Sequence, residues 1–235
     1  TELAKLLAGV VDEHGHITIK AITDLIPPLS KKESELVKNV PFDEKAFREQ
    51  AGIFPSYALP SFLSSPNEHV WFYPSYIINA FQSSSREQAR GSINDTAWAR
   101  VGIRLSPGMP FEKVAPIFED YLKKNTPQGL ELSLKTIDSN NGWVMDPSRP
   151  EFQKTCLAAS VALKKAYKKD AVWMGCGAIV CITRIFENVF GKVPQLVTGV
   201  EDPVSNAHGD NESLLINDLV KATAGLIYFF EEFSR

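Results

Sequence analysis

The stretch Ala97-Trp-Ala-Arg-Val-Gly-Ile-Arg-Leu105, followed directly by Ser106-Pro-Gly-Met-Pro110, organises the first half of the chain. Ala97, Ala99, Val101, Ile103 and Leu105 alternate with Trp98, Arg100, Gly102 and Arg104, a period of two that gathers the apolar set on one face of a strand. Arg104 therefore falls on the opposite face. The Pro-Gly turn hands the chain to an amphipathic helix with apolar positions Phe111, Val114, Phe118 and Tyr121. Pro116 lies inside that pattern and removes a backbone donor, so a kink or a late start is expected.

Working outward, Trp71 to Phe81 is rich in aromatic and β-branched residues and reads as a second strand, with Pro74 marking an edge or a bulge. Leu130, Leu132, Leu134 and Thr136 alternate as a third. An opening helix on Leu3, Leu6, Leu7 and Val10 precedes a turn at Asp12 to His16 and a short apolar run, Ile17 to Ile22. Helix, two strands, helix, strand is a ferredoxin-like βαββαβ unit without its first strand, which would lie in the middle of the sheet. With Thr1 where an initiator methionine would stand, the chain reads as a fragment of something longer.

A long excursion, residues 27–66, interrupts this unit and is rich in Pro, Ser and Lys. It carries two modest helical patterns, Ser30 to Lys38 and Asp43 to Gln50, the second ending at Gly52. The last hundred residues change character. Phe152, Cys156, Ala159, Leu163 and Tyr167 form one helical stripe, and Ile179, Ile182, Phe186 and Val189 form another. A short apolar strand, Val193 to Val200, comes before a closing helix on Leu215, Leu219, Ala222, Leu226, Phe229 and Phe233, with Asp210 or Asn211 as its expected N-cap. Helices alternating with short strands imply an α/β layer. The division is thus 1–140, an α+β unit, and 141–235, a mixed α/β unit.

Over 235 residues, 44% are hydrophobic and 23% charged, with a net charge of −3, so the chain is neither disordered nor a nucleic-acid binder by charge. Its longest apolar run, Ala224 to Phe230, is far short of the ~20 residues a membrane span needs. Three cysteines, Cys156, Cys176 and Cys181, do not make a disulfide framework, which points to a reducing, cytoplasmic setting. Cys176 and Cys181 are expected to be buried at a helix start. Gly175-Cys-Gly177 has the form of a glycine turn that holds an anion at a helix N-terminus. His14 and His16 flank Gly15 in a turn and, like His69, read as loop histidines. His208, in Asn206-Ala-His-Gly-Asp-Asn-Glu212, sits between a strand and a helix, where α/β proteins place binding groups.

Together these residues resemble a known family. Asn206-Ala207-His208-x-x-Asn211-Glu212 before the last helix is similar to the final metal-ligand motif of the carnosinase/aminoacylase/acetylornithine-deacetylase family of zinc metallopeptidases. Arg104-Leu105-Ser106-Pro107-Gly108 resembles the Arg-Leu-Val-Pro-Gly of that family's lid, or dimerisation, domain. Phe42-Asp43-Glu44-x-Ala46-Phe47 resembles its dipeptidase branch. The resemblance implies a ferredoxin-like lid followed by the C-terminal portion of a two-zinc, carboxypeptidase-like catalytic domain that hydrolyses dipeptides or N-acyl amino acids and forms a homodimer. It implies His208 as a metal ligand and Arg104 and Gly177 as substrate-binding residues; the remaining ligands and the general-base glutamate lie outside this chain, which holds no catalytic residue and is inactive alone. Departures exist at Gly91 to Asn94, where the family has Thr-Val-Ile-Pro, and at Met174 to Cys181, where it has Glu-Gly-Gly-Ser-Ile-Pro. They leave a second reading open, a non-catalytic homologue acting as a dimerisation or interaction module.

Overall fold

The computed structural model describes residues 1–235 other than 58, 60–64, 88, 138, 146–148, 179 and 203; Ile179 of the second stripe therefore lies outside the described residues. The elements in order are α1 (Glu2–Ala8), α2 (Lys20–Thr23), α3 (Lys31–Asn39), α4 (Glu44–Ala51), α5 (Pro66–Phe72), β1 (Ser75–Gln82), β2 (Trp98–Arg104), α6 (Phe111–Asn125), α7 (Pro150–Tyr167), α8 (Cys181–Phe190) and α9 (Ile216–Phe233). This is a mixed α/β chain with one small sheet among the described residues. It forms two compact units, one of residues 1–34, 59–143 and 175–179, the other of 35–58, 144–174 and 180–235.

In the first unit β1 and β2 pair antiparallel, Ser75 opposite Arg104 and Gln82 opposite Trp98, with a register irregularity between Ile78 and Ala80. The alternation read from β2 holds. Ala99 and Val101 pack on Leu6, Leu7 and Leu122, while Ile103 and Leu105 pack on a cluster of Val10, Ile17, Ile19, Ile22, Met109 and Val114. So α1 and α6 cover one face of the sheet, and their stripes meet there. The α1 C-terminus is secured by two hydroxyls: Tyr121 Oη and Thr18 Oγ1 each donate to Gly9 O at 2.8 Å. At the other end of α6, Asn141 Oδ1 accepts from Phe111 N at 2.6 Å and satisfies a donor that Pro110, as N-cap, cannot. Gly108 takes φ +83° in the turn between, where a side chain would also meet the ring of Pro27. Tyr76 packs edge-on against Phe118 at 6.1 Å between ring centres, and burial, helped by Tyr121, pushes its hydroxyl up to about 12.

Several expectations need correction. Trp71 and Phe72 belong to α5 and not to a strand. Ser65 caps that helix by accepting from Glu68 N at 3.0 Å, Pro66 fits its first turn, and Pro74 disfavours helix beyond Tyr73, so β1 begins only at Ser75. Neither Leu130 to Thr136 nor Val193 to Val200 joins a ladder among the described residues; Leu132 instead packs on the Leu6, Leu7 and Leu122 cluster. Of the kink or late start expected from Pro116, the late start is excluded, because α6 starts at Phe111 and runs 15 residues. Last, α9 begins at Ile216 behind Leu215, which offers no capping side chain, so Asp210 and Asn211 do not cap it.

The second unit is built on α7 against α9. The α7 face of Phe152, Cys156, Ala159 and Ala162 is buried, and small residues let the helices approach where Gly225 lies near Leu163 and Ala166. Across the same contact Lys165 pairs with Glu231 at 3.3 Å and lies 3.9 Å from the Tyr228 ring centre, and Tyr167 Oη donates to Asp218 O at 3.4 Å. In α4, Asp43 Oδ1 accepts from Ala46 N at 3.0 Å, and Gly52 closes the helix at φ 64°, as the sequence pattern predicts.

The turn before α2 holds a histidine contact that no local pattern announces. Asp12 Oδ1 accepts from His14 N and His16 N, each at 2.9 Å, which lowers the Asp12 carboxyl and fixes the turn closed by the Val11–Ile17 bridge. This turns the His16 ring to within 5.4 Å of His69 on α5, and His69 in turn stacks on Tyr73. Burial, with a smaller contribution from His16, holds His69 below its ordinary 6.5.

Two predictions follow from this packing. Ile22 is fully buried in the larger cluster, so Ile22→Ala should lower unfolding free energy by about 3 kcal/mol, read as a reduced denaturant midpoint. The depressed histidine gives a pH dependence of defined sign. The unfolded chain takes up the His69 proton more readily than the folded one, so stability is lost as pH falls below 6.5 through the lower folded value. Between pH 7.5 and 5.5 the midpoint of His69→Gln should therefore fall less than that of the unsubstituted chain, in urea titrations at the two pH values.

Candidate functional site

Arg104 closes β2 on its solvent face, as its place in the alternation requires, and its side chain is exposed. Its Nη1 donates to the carbonyl oxygen of Gly177 at 3.0 Å. That segment is held against α5 by its glycines: a Cβ at Gly175 would lie 2.5 Å from the Trp71 ring, and one at Gly177 would lie 3.0 Å from Val70 O. Only residues without a side chain fit so close to this helix, and the result is a carbonyl aimed at the guanidinium. One of five N–H donors is thus used for positioning, and the planar fork retains donors for a carboxylate or an oxyanion. The Gly175–Gly177 turn is not itself a helix N-terminus, because α8 starts only at Cys181 behind Val180.

The cysteine expectation is overturned. Cys176 and Cys181 are both exposed, and only Cys156 is buried. Cys176 sits in the glycine loop, where its Sγ accepts from Ala178 N at 3.4 Å, and Cys181 opens α8. A helix start was the right place for Cys181 but not the right environment.

His208 stands in a loop that is folded on itself. Ser205 is buried; its Oγ donates to Asp202 Oδ1 and accepts from Asp202 N, both at 3.0 Å. Ser213 N donates to Ser205 O at 2.9 Å and closes the loop at its base. Within it Asn206 Nδ2 reaches Asp210 O at 2.7 Å, and Gly209 packs so tightly on the Asn206 amide that a Cβ there would lie 2.6 Å from Nδ2. Asn206, His208 and Asn211 all take left-handed backbone conformations, φ 54°, 64° and 59°. Asparagine and histidine tolerate that region better than most residues. The exposed His208 ring is therefore carried on a tied frame, its own N–H donating to Glu212 Oε2 at 3.4 Å.

A zinc centre needs at least ~3 protein ligands. No group of three His, Cys, Asp or Glu side chains that could hold a metal ion exists among the described residues. His208 does not fit a zinc ion by itself. The His14, His16 and His69 rings likewise do not form such a group. No described helix is long and apolar enough to cross a membrane.

No family model matches the chain. Curated proteins do. It is 25% identical over 214 residues to the cysteinylglycine-S-conjugate dipeptidase of Corynebacterium striatum, covering 90% of this chain and 44% of that protein. It is 27% identical over 241 residues to the Cys-Gly metallodipeptidase DUG1 of Saccharomyces cerevisiae, covering 98% of this chain and 48% of that one. The chain thus spans about half the length of the curated relatives it matches. Among solved structures, yeast dipeptidase Dug1p superposes with a TM-score of 0.84 at 24% identity, over 99% of this chain and 48% of that one. An M20-family metallo-carboxypeptidase from Sulfolobus solfataricus gives 0.75 at 20% identity, over 99% and 52%. The homologues of this chain are Cys-Gly, DUG1-type and carnosinase-like metallodipeptidases, and its fold is that of M20 metallopeptidases.

Proposed function

We propose that this chain is a part of a zinc-dependent metallodipeptidase, with residues 1–140 as its lid and 141–235 as the C-terminal portion of its catalytic domain. The complete enzyme hydrolyses dipeptides or N-acyl amino acids in the cytoplasm and works as a homodimer. The observation that carries this reading is homology to a Cys-Gly metallodipeptidase along 98% of the chain. His208 is one metal ligand, presented on its tied loop, and residues outside this chain complete the set. Arg104, oriented by Gly177, receives the substrate carboxylate, which suits a guanidinium with free donors on an exposed strand end. One ligand is too few, so the isolated chain is inactive. The second reading, a non-catalytic interaction module, is favoured by the lack of any three-ligand group among the described residues.

Measurements on the isolated chain and on the complete protein test the first reading. The isolated chain should show no peptidase activity and only weak zinc uptake by isothermal titration. In the complete protein His208→Ala should lower metal occupancy and turnover together; unchanged occupancy would reject the ligand role and leave the interaction-module reading. Arg104→Ala should reduce kcat/KM for a dipeptide by about 10- to 100-fold, the loss of one charge-assisted pair. An equal loss on an analogue lacking the free carboxylate would show that Arg104 does not read that group.

A further inference from the structure

A chain of contacts joins Arg104 to the histidine pair. Gly177 O aims the guanidinium, and Gly175 and Gly177 keep their places by lying against Trp71 and Val70. Those two residues belong to α5, directly after His69. With seven residues, α5 is far below the ~12 that an isolated helix needs, so tertiary contacts hold it. Trp71 and Phe72 are buried, and the His69 ring meets that of His16 at 5.4 Å with the planes tilted by 59°. The turn carrying His16 is fixed by its bonds to Asp12 and by the Val11–Ile17 bridge. A change at the ring contact is therefore passed to α5 and not absorbed by the turn.

Charge at this contact has uneven support. On the turn, Asp12 Oδ2 lies 3.4 Å from His16 Nδ1, and Glu13 Oε1 lies 3.6 Å from His14 Nε2. His16 Nε2 is buried and has no hydrogen-bond partner among the described residues. On α5, Tyr73 stacks on His69 at 5.5 Å, and Glu68 is close enough to act on the Tyr73 hydroxyl. On α2, which lines one cavity with Glu68 and Tyr73, Lys20 and Asp24 pair with each other at 2.5 Å. Two neutral rings pack here without cost. Two protonated rings would set like charges 5.4 Å apart in a half-buried place.

We propose that the His16–His69 contact positions Arg104 through α5 and the Gly175–Gly177 segment, and that acid opens it. Neutral rings keep α5 seated and Gly177 O on the guanidinium. When both rings take a proton from solvent, repulsion moves α5 from the turn, the glycine segment loses its support, and Arg104 is no longer aimed. His16 and His69 are thus positioning residues, acting through another side chain and touching no substrate. The proposal rests on the metallodipeptidase reading for the claim that Arg104 receives a carboxylate, and on contacts alone for the coupling.

Nuclear magnetic resonance of the complete protein, labelled with nitrogen-15 at glycine and arginine, reads the coupling without turnover. Between pH 7.5 and 5.5 the Gly175 and Gly177 amides and the Arg104 Nε–H should shift with a common midpoint. His69→Gln and, separately, His16→Gln leave one side of the contact uncharged and should remove that shared titration. His14→Gln, at an exposed ring 6.1 Å from His16, should leave it in place. Gly177 and Arg104 signals that stay fixed, or that titrate unchanged in either His69→Gln or His16→Gln, would overturn the proposal. A shift shared by Gly225 of α9 would signify general unfolding and would overturn it as well. In turnover, KM for a dipeptide should rise about 10-fold more on acidification in the unsubstituted protein than in His69→Gln, the loss of one oriented charge-assisted bond, while kcat changes alike in both. Should the resonances titrate as expected but an analogue lacking the free carboxylate show the same difference in KM, the carboxylate role of Arg104 falls and the coupling stands.

Discussion

The apolar face of β2 has to be covered, and the first unit is arranged around that requirement. Four side chains, Ala99, Val101, Ile103 and Leu105, point the same way, and a two-stranded sheet has no second layer of its own to receive them. The stripes of α1 and α6 meet them, and Val10, Ile17, Ile19 and Ile22 extend the cover beyond the strand end. Once these are fixed, the opposite face of β2 is fixed too. Arg104 emerges on the solvent side beside a glycine segment held on α5, and one hydrogen bond to Gly177 sets its direction. The core and the candidate carboxylate partner are consequences of a single alternation.

His208 is positioned by a different means. A buried serine, a backbone bond from Ser213 across the base of the loop and three left-handed residues make a frame of its own backbone. A loop built this way fixes the backbone that carries an exposed ring. Here too the local chemistry is complete while the function is not, because a metal centre needs donors that no other described element brings to the ring.

The amphipathic patterns gave helices α1, α3, α4, α6, α7 and α9 near their observed bounds, because burial of one stripe sets each of them and the stripe is written in the chain. The alternating pattern was less secure. It succeeded at β2, where a partner strand is present, and failed at Leu130 to Thr136 and Val193 to Val200, where none is among the described residues. A period of two records a wish for one buried face; a ladder also needs a neighbour, and no local sequence supplies that. Trp71 is helical for a different reason. The capping side chain of Ser65 and the fixed φ of Pro66 start a helix despite the strand-like aromatic content that follows.

By itself the sequence determined the fold class, the outward placement of Arg104, the loop around His208 and the resemblance that its motifs carry, since each depends on residues close together in the chain. Tertiary structure decided which faces were covered. It brought His16 to His69 across 53 positions, set Gly177 O on Arg104, left Cys176 and Cys181 in the open, and turned the apolar stripes of α8 and α9 outward. A helix stripe tells that a surface will be buried but not by what, because burial is a property of the neighbour as much as of the residue.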